Sequence, residues 1–520
     1  MNRPPDYGII HNWDGAPHGL SEYPQSMEQF LDKTYAPMID TQVGAHFWCI
    51  GEHTARYQSD ILEPLSNREY HSAHNYNFDE NVFGMVERGE DPQAETITRG
   101  HELGKHVYVS VRMNDNHFHG AQPKDLLTMS NHVPRNSDHV PGVTQMRRDH
   151  PEWLLGDRAA SDWFALSWNM AVPEVRKHRL EHVTEVCSRW DWDGVELDWQ
   201  RHGFHLDKEM GFRLRYTITD LQRSIREMTN RLSEKRGKPF YVAARVSGTL
   251  EMCKRIGYDI PTWVDEGLVD ILIPSASSGT DPLIDIASFK ELTDGTDISV
   301  YGCIYGSVAG AEDGPEDEKT KRELTIRGIA SRHWHEGADG IYVFNYPSDG
   351  NERRDTTTTM GSPETLKNQD KIYAATVRYR RETGQWRGAA INDRIYAEVP
   401  VPLVDTISKD GPSIPLTIAD DFSVAPPKNL TLRLKLTDWV KGDVVEVTWD
   451  GEPLPEPTHT YADVQRSHGN DTSSAIWQSY DLESKQVGIG EHTVKVVLHE
   501  RNPKLLIDII LTNVELVVRY

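Results

Sequence analysis

The sequence predicts an α/β fold, a (β/α)8 or TIM barrel, followed by a C-terminal all-β sandwich. Three observations carry this. Eight short apolar runs alternate with helical stretches over the first ~360 residues, the pattern of a parallel barrel. One run, Val195-Glu196-Leu197-Asp198-Trp199, alternates apolar with acidic side chains. From about Arg394 the texture changes to prolines and period-two runs. With 520 residues the chain is too long for one ordinary domain, and we place the barrel at 1–385 and the sandwich at 386–520.

The elements follow in order. The first strand is Tyr7 to Asp14, with a helix near Ser26 to Tyr35 and a second strand at Val43 to Ile50. A long polar segment leads to a helix over Pro92 to Leu103 and a third strand, His106 to Arg112. After a second long loop, Pro173 opens a helix running to Trp190, since proline fits a first helical turn. The motif strand is fourth. A helix over Asp207 to Lys235 precedes the fifth, Phe240 to Val246. A short helix at Pro261 to Glu266 precedes the sixth, Val269 to Pro274; the seventh is Ile298 to Tyr305. A helix over Lys319 to Glu336 precedes the eighth, Gly340 to Tyr346. The excess over the usual ~250 residues lies in loops after the second and third strands, on the face where barrel sites form. In the last region, Leu430 to Leu436 and Val444 to Trp449 alternate, and Asp450-Gly451 reads as a hairpin turn. His492 to Leu498 and Ile510 to Val518 complete a sandwich of ~120 residues.

Charge and composition exclude some functions. There are 56 basic and 80 acidic residues, a net of -24, which disfavours a nucleic-acid or anionic-membrane binder. No run is long enough to span a bilayer, and no apolar leader follows Met1-Asn2-Arg3-Pro4-Pro5. A cytoplasmic location is expected, or a periplasmic or secreted one if a leader has been removed. Cys49, Cys187, Cys253 and Cys303 are far apart with no metal-like pairing, so reduced buried thiols are expected; with no phosphate loop, dinucleotide fingerprint or nucleophile elbow, no cofactor is expected.

In the motif strand Glu196, Asp198 and Gln200 share one face, and Val195, Leu197 and Trp199 the other. Burying unpartnered carboxylates costs several kcal/mol, so they have partners or a use. At the rim, strand ends offer His11, Asn12 and Trp13; His46, Trp48, Glu52 and His53; Arg112, Asn114, Asp115, His117 and His119. They also offer Arg201, His202 and His205; Arg245 and Glu251; Ser275 and Asp281; Tyr305; and Asn345 and Tyr346. Indole faces stack on sugar rings, and Asn, Arg and His bond hydroxyls, so a polar bowl of this kind suits an oligosaccharide. Paired acids then suggest glycoside hydrolysis. Asp198, nearer the open end, is the expected acid/base. The second carboxylate stays open among Glu196, Glu251 and Asp281. The plainer account is that Glu196 and Asp198 sit in ion pairs with Arg112 or Arg245. If not so spent, Arg112, Arg201 and Arg245 suit a sulfated or uronic sugar. The pair His117 and His119 beside Asp115 could hold a metal, although a loop pair of this kind more often makes ordinary hydrogen bonds.

The run Asp193-Gly194-Val195-Glu196-Leu197-Asp198-Trp199-Gln200 resembles the Asp-Gly-x-Asp-x-Asp-x-Glu strand of chitinase-like family 18 barrels. That family's acid occupies the last position, here Gln200, and an amide cannot donate a carboxylic proton. The resemblance therefore implies the fold and not that chemistry. Asp-Gly-Val-Glu-Leu-Asp-Trp is also similar to bacterial barrels of the glycosyl hydrolase-like family 10 group, often with a trailing β-sandwich, over the first ~370 residues. General texture, without a single motif, is similar to glycoside hydrolase family 167, exo-acting on carrageenan-type galactans. Together these imply an exo-acting glycoside hydrolase, its pocket narrowed by the long loops. The sandwich either binds carbohydrate or braces the barrel and a homo-oligomer; its few clustered aromatics favour bracing. The alternatives are a carbohydrate-binding barrel without catalysis and a metal-dependent hydrolase using the histidines.

Overall fold

The computed structural model describes residues 3–13, 24–50, 54–55, 57–64, 81–82, 84–114, 122–127, 144–276, 280–306, 308, 314–346, 354–375, 377, 399–403, 410–466 and 472–520. Eight parallel strands close a barrel: β1 (Ile9–Trp13), β2 (Val43–Cys49), β3 (His106–Arg112), β4 (Gly194–Asp198), β5 (Tyr241–Ser247), β6 (Ile271–Ser275), β7 (Ser299–Tyr305) and β8 (Gly340–Phe344). Neighbours in the ring are neighbours in the chain, with β8 pairing β1 through Ile9 and Ile341. All eight expected strands are present, within a residue or two of their expected bounds.

The helices start where the sequence supplies caps. In α1 (Met27–Tyr35), Ser26 and Gln29 form a capping box. In α2 (Pro92–Glu102), Asp91 caps the amide of Ala94. Pro173 opens α3 (Pro173–Arg189), and α4 (Gly211–Arg236) stops at Gly237, whose φ of 66° is left-handed. Two short helices, α5 (Leu250–Ile256) and α6 (Ile260–Asp265), follow β5; α7 (Ile286–Thr293) precedes β7.

Alternation decides what fills the barrel. Even-numbered residues of β3 and β4 face inward and odd-numbered ones outward. The outward set, Val195 and Leu197, is fully buried, and Trp199 just beyond packs near Trp263 and Tyr258 at ring distances of 6.2 Å. The inward set starts at Gly194, where a Cβ would meet the Tyr108 ring and lie 2.5 Å from the Tyr241 carbonyl. Only glycine leaves that space, so Tyr108 can stack on Phe47 at 4.4 Å and bond Tyr7 at 2.8 Å. Gly340 stands in the same relation to Tyr301.

The chain divides into two compact units. The first is residues 1–278, 285–303 and 337–361; the second is 279–284, 304–336 and 362–520. The second unit holds α8 (Glu318–His335), capped by Asp317, and two antiparallel sheets. One sheet runs β9 (Lys371–Ala374), β18 (Ile509–Arg519), β12 (Asn429–Thr437), β16 (Thr472–Leu482), β15 (His459–Arg466), with β10 (Val401–Leu403) on β18. The other runs β11 (Ser413–Ile418), β17 (Gly490–Glu500), β13 (Val444–Trp449), β14 (Glu452–Pro453). Leu432, Leu434, Val496 and Leu516 are in the core of this sandwich. The expected boundary at 385/386 falls outside the described residues, while β9 already pairs with β18.

Between α8 and the first sheet lies a charged seam. Glu515 accepts from Lys321 at 2.6 Å and Arg433 at 2.8 Å, and Arg433 also reaches Glu316 at 2.9 Å. Lys321 and Arg433 lie 4.8 and 5.4 Å from the Trp477 ring. The cations are paired, bonded and set over an aromatic face, the conditions under which buried charge persists.

Candidate active site

The barrel's interior halfway up β4 is polar. Glu196 has no solvent exposure. Its Oε2 accepts from Asn12 Nδ2 at 2.6 Å, and Tyr342 donates its hydroxyl to Oε1 from β8, on the opposite side of the ring. Ser110 also bonds it, and accepts from Asn12 at 3.1 Å. Burial pushes the Glu196 carboxyl up to about 7, with the Asp198 charge adding to the rise and Arg245, Ser110 and Tyr342 opposing it.

Asp198 lies one inward step above and is 1% exposed. Its Oδ2 accepts from Arg245 at 2.8 Å. Its Oδ1 accepts from the backbone amides of Gln200 at 3.1 Å and Arg201 at 2.8 Å. Three donors converge on this carboxylate, an environment built for an anion. In register Asp198 stands between Arg112 on β3 and Arg245 on β5. Arg245 is itself fully buried, bonds Ser275 Oγ at 3.0 Å and lies 4.1 Å over the Phe344 ring.

This corrects several expectations. Asp198 does not face an open bowl but is buried and spent on Arg245, so the ion-pair account holds for its geometry. Arg245 is likewise taken by Asp198 and Ser275. His11, His46 and Trp48 do not line the interior. Each is one residue out of step with an inward neighbour, and parity turns it to the outer wall. There His46 packs on Tyr35 at 5.5 Å and Trp48 on Phe30 at 5.6 Å, both from α1. Burial lowers His11 to about 4 and His46 to about 3, so both rings are neutral. Asn114 is a clamp: its side chain bonds both the amide and the carbonyl of Trp168, at 3.0 and 3.1 Å, and His205 at 3.3 Å. Gln200 leaves the strand's alternation because β4 ends at Asp198, which caps the turn; it is buried, and its Oε1 has no partner among the described residues. Glu251 sits exposed in the first turn of α5. Tyr346 is buried with its hydroxyl 2.5 Å from Thr356 Oγ1.

Other expected residues are placed without contradiction. Asn12 faces inward on Glu196. Arg112 is half-buried at the end of β3. Arg201 and His202 are buried in the turn after β4, with the Arg201 guanidinium 6.0 Å from Phe344. Asn345, with φ of 45°, turns the chain out of β8. Asp281 is buried, accepts from the Leu283 amide at 2.9 Å and belongs to the second unit, as does Tyr305. The Trp13 side chain, Glu52, His53, Asp115, His117 and His119 lie outside the described residues. Among the described residues no three metal-ligating side chains come together, and no helix is long and apolar enough to cross a membrane. Tyr342, Ser110 and Phe344 are neighbours of the acids that chemical type alone does not single out. Period two marks them: Ser110 alternates with Arg112, and Tyr342 with Gly340 and Phe344.

No family model matches this chain, and no curated protein does. Among solved structures it is similar to the galactosidase domain of an alpha-galactosidase-sucrose kinase, at 12% identity and TM-score 0.37, covering 93% of this chain and 55% of that one. It is similar to a glycoside hydrolase family 18 N-acetylglucosaminidase from Paenibacillus barengoltzii, at 10% identity and TM-score 0.35, covering 68% and 99%. The catalytic domain of chitinase B from Arthrobacter gives 10% identity and TM-score 0.37, covering 69% and 95%. Likenesses at these scores assign the chain neither a family nor an activity.

Proposed function

We propose that the chain is a glycoside hydrolase whose proton chemistry centres on Glu196 and Asp198. The observation that carries this reading is the pair itself: two carboxylates two residues apart inside a barrel strand, set in opposed environments. Asp198 accepts from Arg245 and two amides, while burial keeps a proton on Glu196 up to about pH 7. Pairs of acids whose environments are driven apart mark acid/base sites. The acid/base role expected of Asp198 then passes to Glu196, which holds the proton, and Asp198 becomes its partner carboxylate. The reading extends to exo-action, supported by the long segments after β2 and β3, and to a sulfated or uronic sugar, supported by Arg112 and Arg201.

A screen of the purified chain against defined oligosaccharides, sulfated and uronic ones included, with released sugars identified, tests this. Glu196→Gln and Asp198→Asn should each lower the rate by ~10²–10⁴-fold. Exo-action should release one small product from the first turnover; a ladder of fragments refutes it. Activity should survive exhaustive chelation, and its loss would favour the metal-dependent alternative.

The second reading is a carbohydrate-binding barrel without catalysis. It is favoured by Gln200 in the motif's last position and by the burial of both carboxylates. Retained affinity in Asp198→Asn, with no sugar released by the unsubstituted chain, selects it.

A further inference from the structure

Asp198 accepts from Arg245 and from the amides of Gln200 and Arg201, and one ring lies near the guanidinium groups of both arginines. Arg245, which donates to Oδ2, lies with its guanidinium 4.1 Å over Phe344. Arg201, whose amide donates to Oδ1, has its guanidinium 6.0 Å from the same ring. Phe344 ends β8 and is 1% exposed, so the ring stays where the strand puts it. An apolar side chain in this place would fill space equally well. A phenyl face does something more, because its quadrupole attracts a cation and fixes where that cation sits. Among the described residues Arg245 is also anchored by Asp198 and by Ser275 Oγ at 3.0 Å. Three contacts on three strands define one position for its charge.

We propose that Phe344 is a positioning residue, which acts through Arg245 and Arg201 to fix Asp198 and so sets the proton affinity of Glu196. The proposal rests on the reading of Glu196 and Asp198 as the proton-handling pair. Among the described residues the charged and titratable groups facing Glu196 are Asp198 on its own strand, Arg245 on β5, Cys303 on β7 and Tyr342 on β8, with Arg112 beside Asp198 on β3. Phe344 bears on Arg245, whose charge opposes the rise at Glu196. A looser Arg245 screens Asp198 less and lets Glu196 keep its proton to higher pH.

The test needs no substrate. The carbonyl stretch of protonated Glu196, assigned by its loss in Glu196→Gln, is followed by infrared difference spectroscopy against pH in the full chain. Replacing Phe344 by 3,4,5-trifluorophenylalanine keeps the shape and removes the negative face. The midpoint should rise by about half a pH unit, and more in Phe344→Leu. In an Asp198→Asn background the same ring exchange should move it much less. An unmoved midpoint with the fluorinated ring overturns the proposal, as does an equal shift in both backgrounds. A chain that cleaves no saccharide yet shows these shifts overturns the hydrolase reading alone; an active enzyme with an unmoved midpoint overturns only the role of Phe344.

Discussion

At the residue scale the chain spends its polar groups unevenly, and Glu196 shows the consequence. Its carboxyl is raised from 4.5 to about 7, mainly by burial. A raised folded-state value means that stability is fully present below the unfolded value and is lost as pH rises through the folded one. Between pH 4.5 and about 7 ionisation of Glu196 should therefore cost on the order of 3 kcal/mol. Glu196→Gln carries no charge to bury. Whatever offset its amide introduces against Asn12 and Tyr342 is independent of pH. Chemical denaturation of both chains at pH 5 and pH 8 should show the variant gaining relative to the parent by that amount. Parallel pH curves would place the Glu196 proton elsewhere. Which residues line the interior is legible in the sequence as a parity, and along β4 that parity holds. Along β1 and β2 chemical type points to His11, His46 and Trp48 instead, and the pleat turns all three to the outer wall.

At the scale of elements, β4 shows why a motif can be strict for reasons apart from chemistry. Asp193 accepts from the Val107 amide and from His101, both at 2.8 Å, tying the start of β4 to β3. Gly194 then gives its space to Tyr108. Gly194→Ala should cost ~2–3 kcal/mol, since the added methyl meets a packed ring and the backbone carbonyl of Tyr241. A melting temperature within a degree of the parent's would contradict the close packing. The seam on β18 makes a second prediction. Glu515→Gln leaves Lys321 and Arg433 short of a negative partner at 1% and 4% exposure, and should cost ~3 kcal/mol or more. If replacement changed stability by less than ~1 kcal/mol, the seam would be a surface pairing in energetic terms. The helices and strands themselves were readable, because caps, prolines and period-two runs are local signals. The seam was not: Lys321 and Glu515 are far apart in the chain, and nothing local marks a charge that will be buried.

For the molecule as a whole the dominant quantity is the net charge of -24. Like charges on a folded chain repel, and salt screens the exposed ones over ~10 Å at 0.1 M. The buried pairs Arg245–Asp198 and Lys321–Glu515 are screened much less. The melting temperature should rise by a few degrees between roughly 10 mM and 150 mM sodium chloride. A fall would mean that attractive surface pairs outweigh the repulsion. The sequence by itself determined the eight-strand barrel, the sandwich after it and the strand that carries the acids, because periodicity and caps act over a few residues. Only the tertiary structure decided what those acids touch. Closing the ring brings Tyr342 and Asn12 onto Glu196 and Arg245 onto Asp198, across separations of 47 to 184 residues. A carboxylate's proton affinity depends on such neighbours and on the water they exclude, and neither is written in the residues beside it.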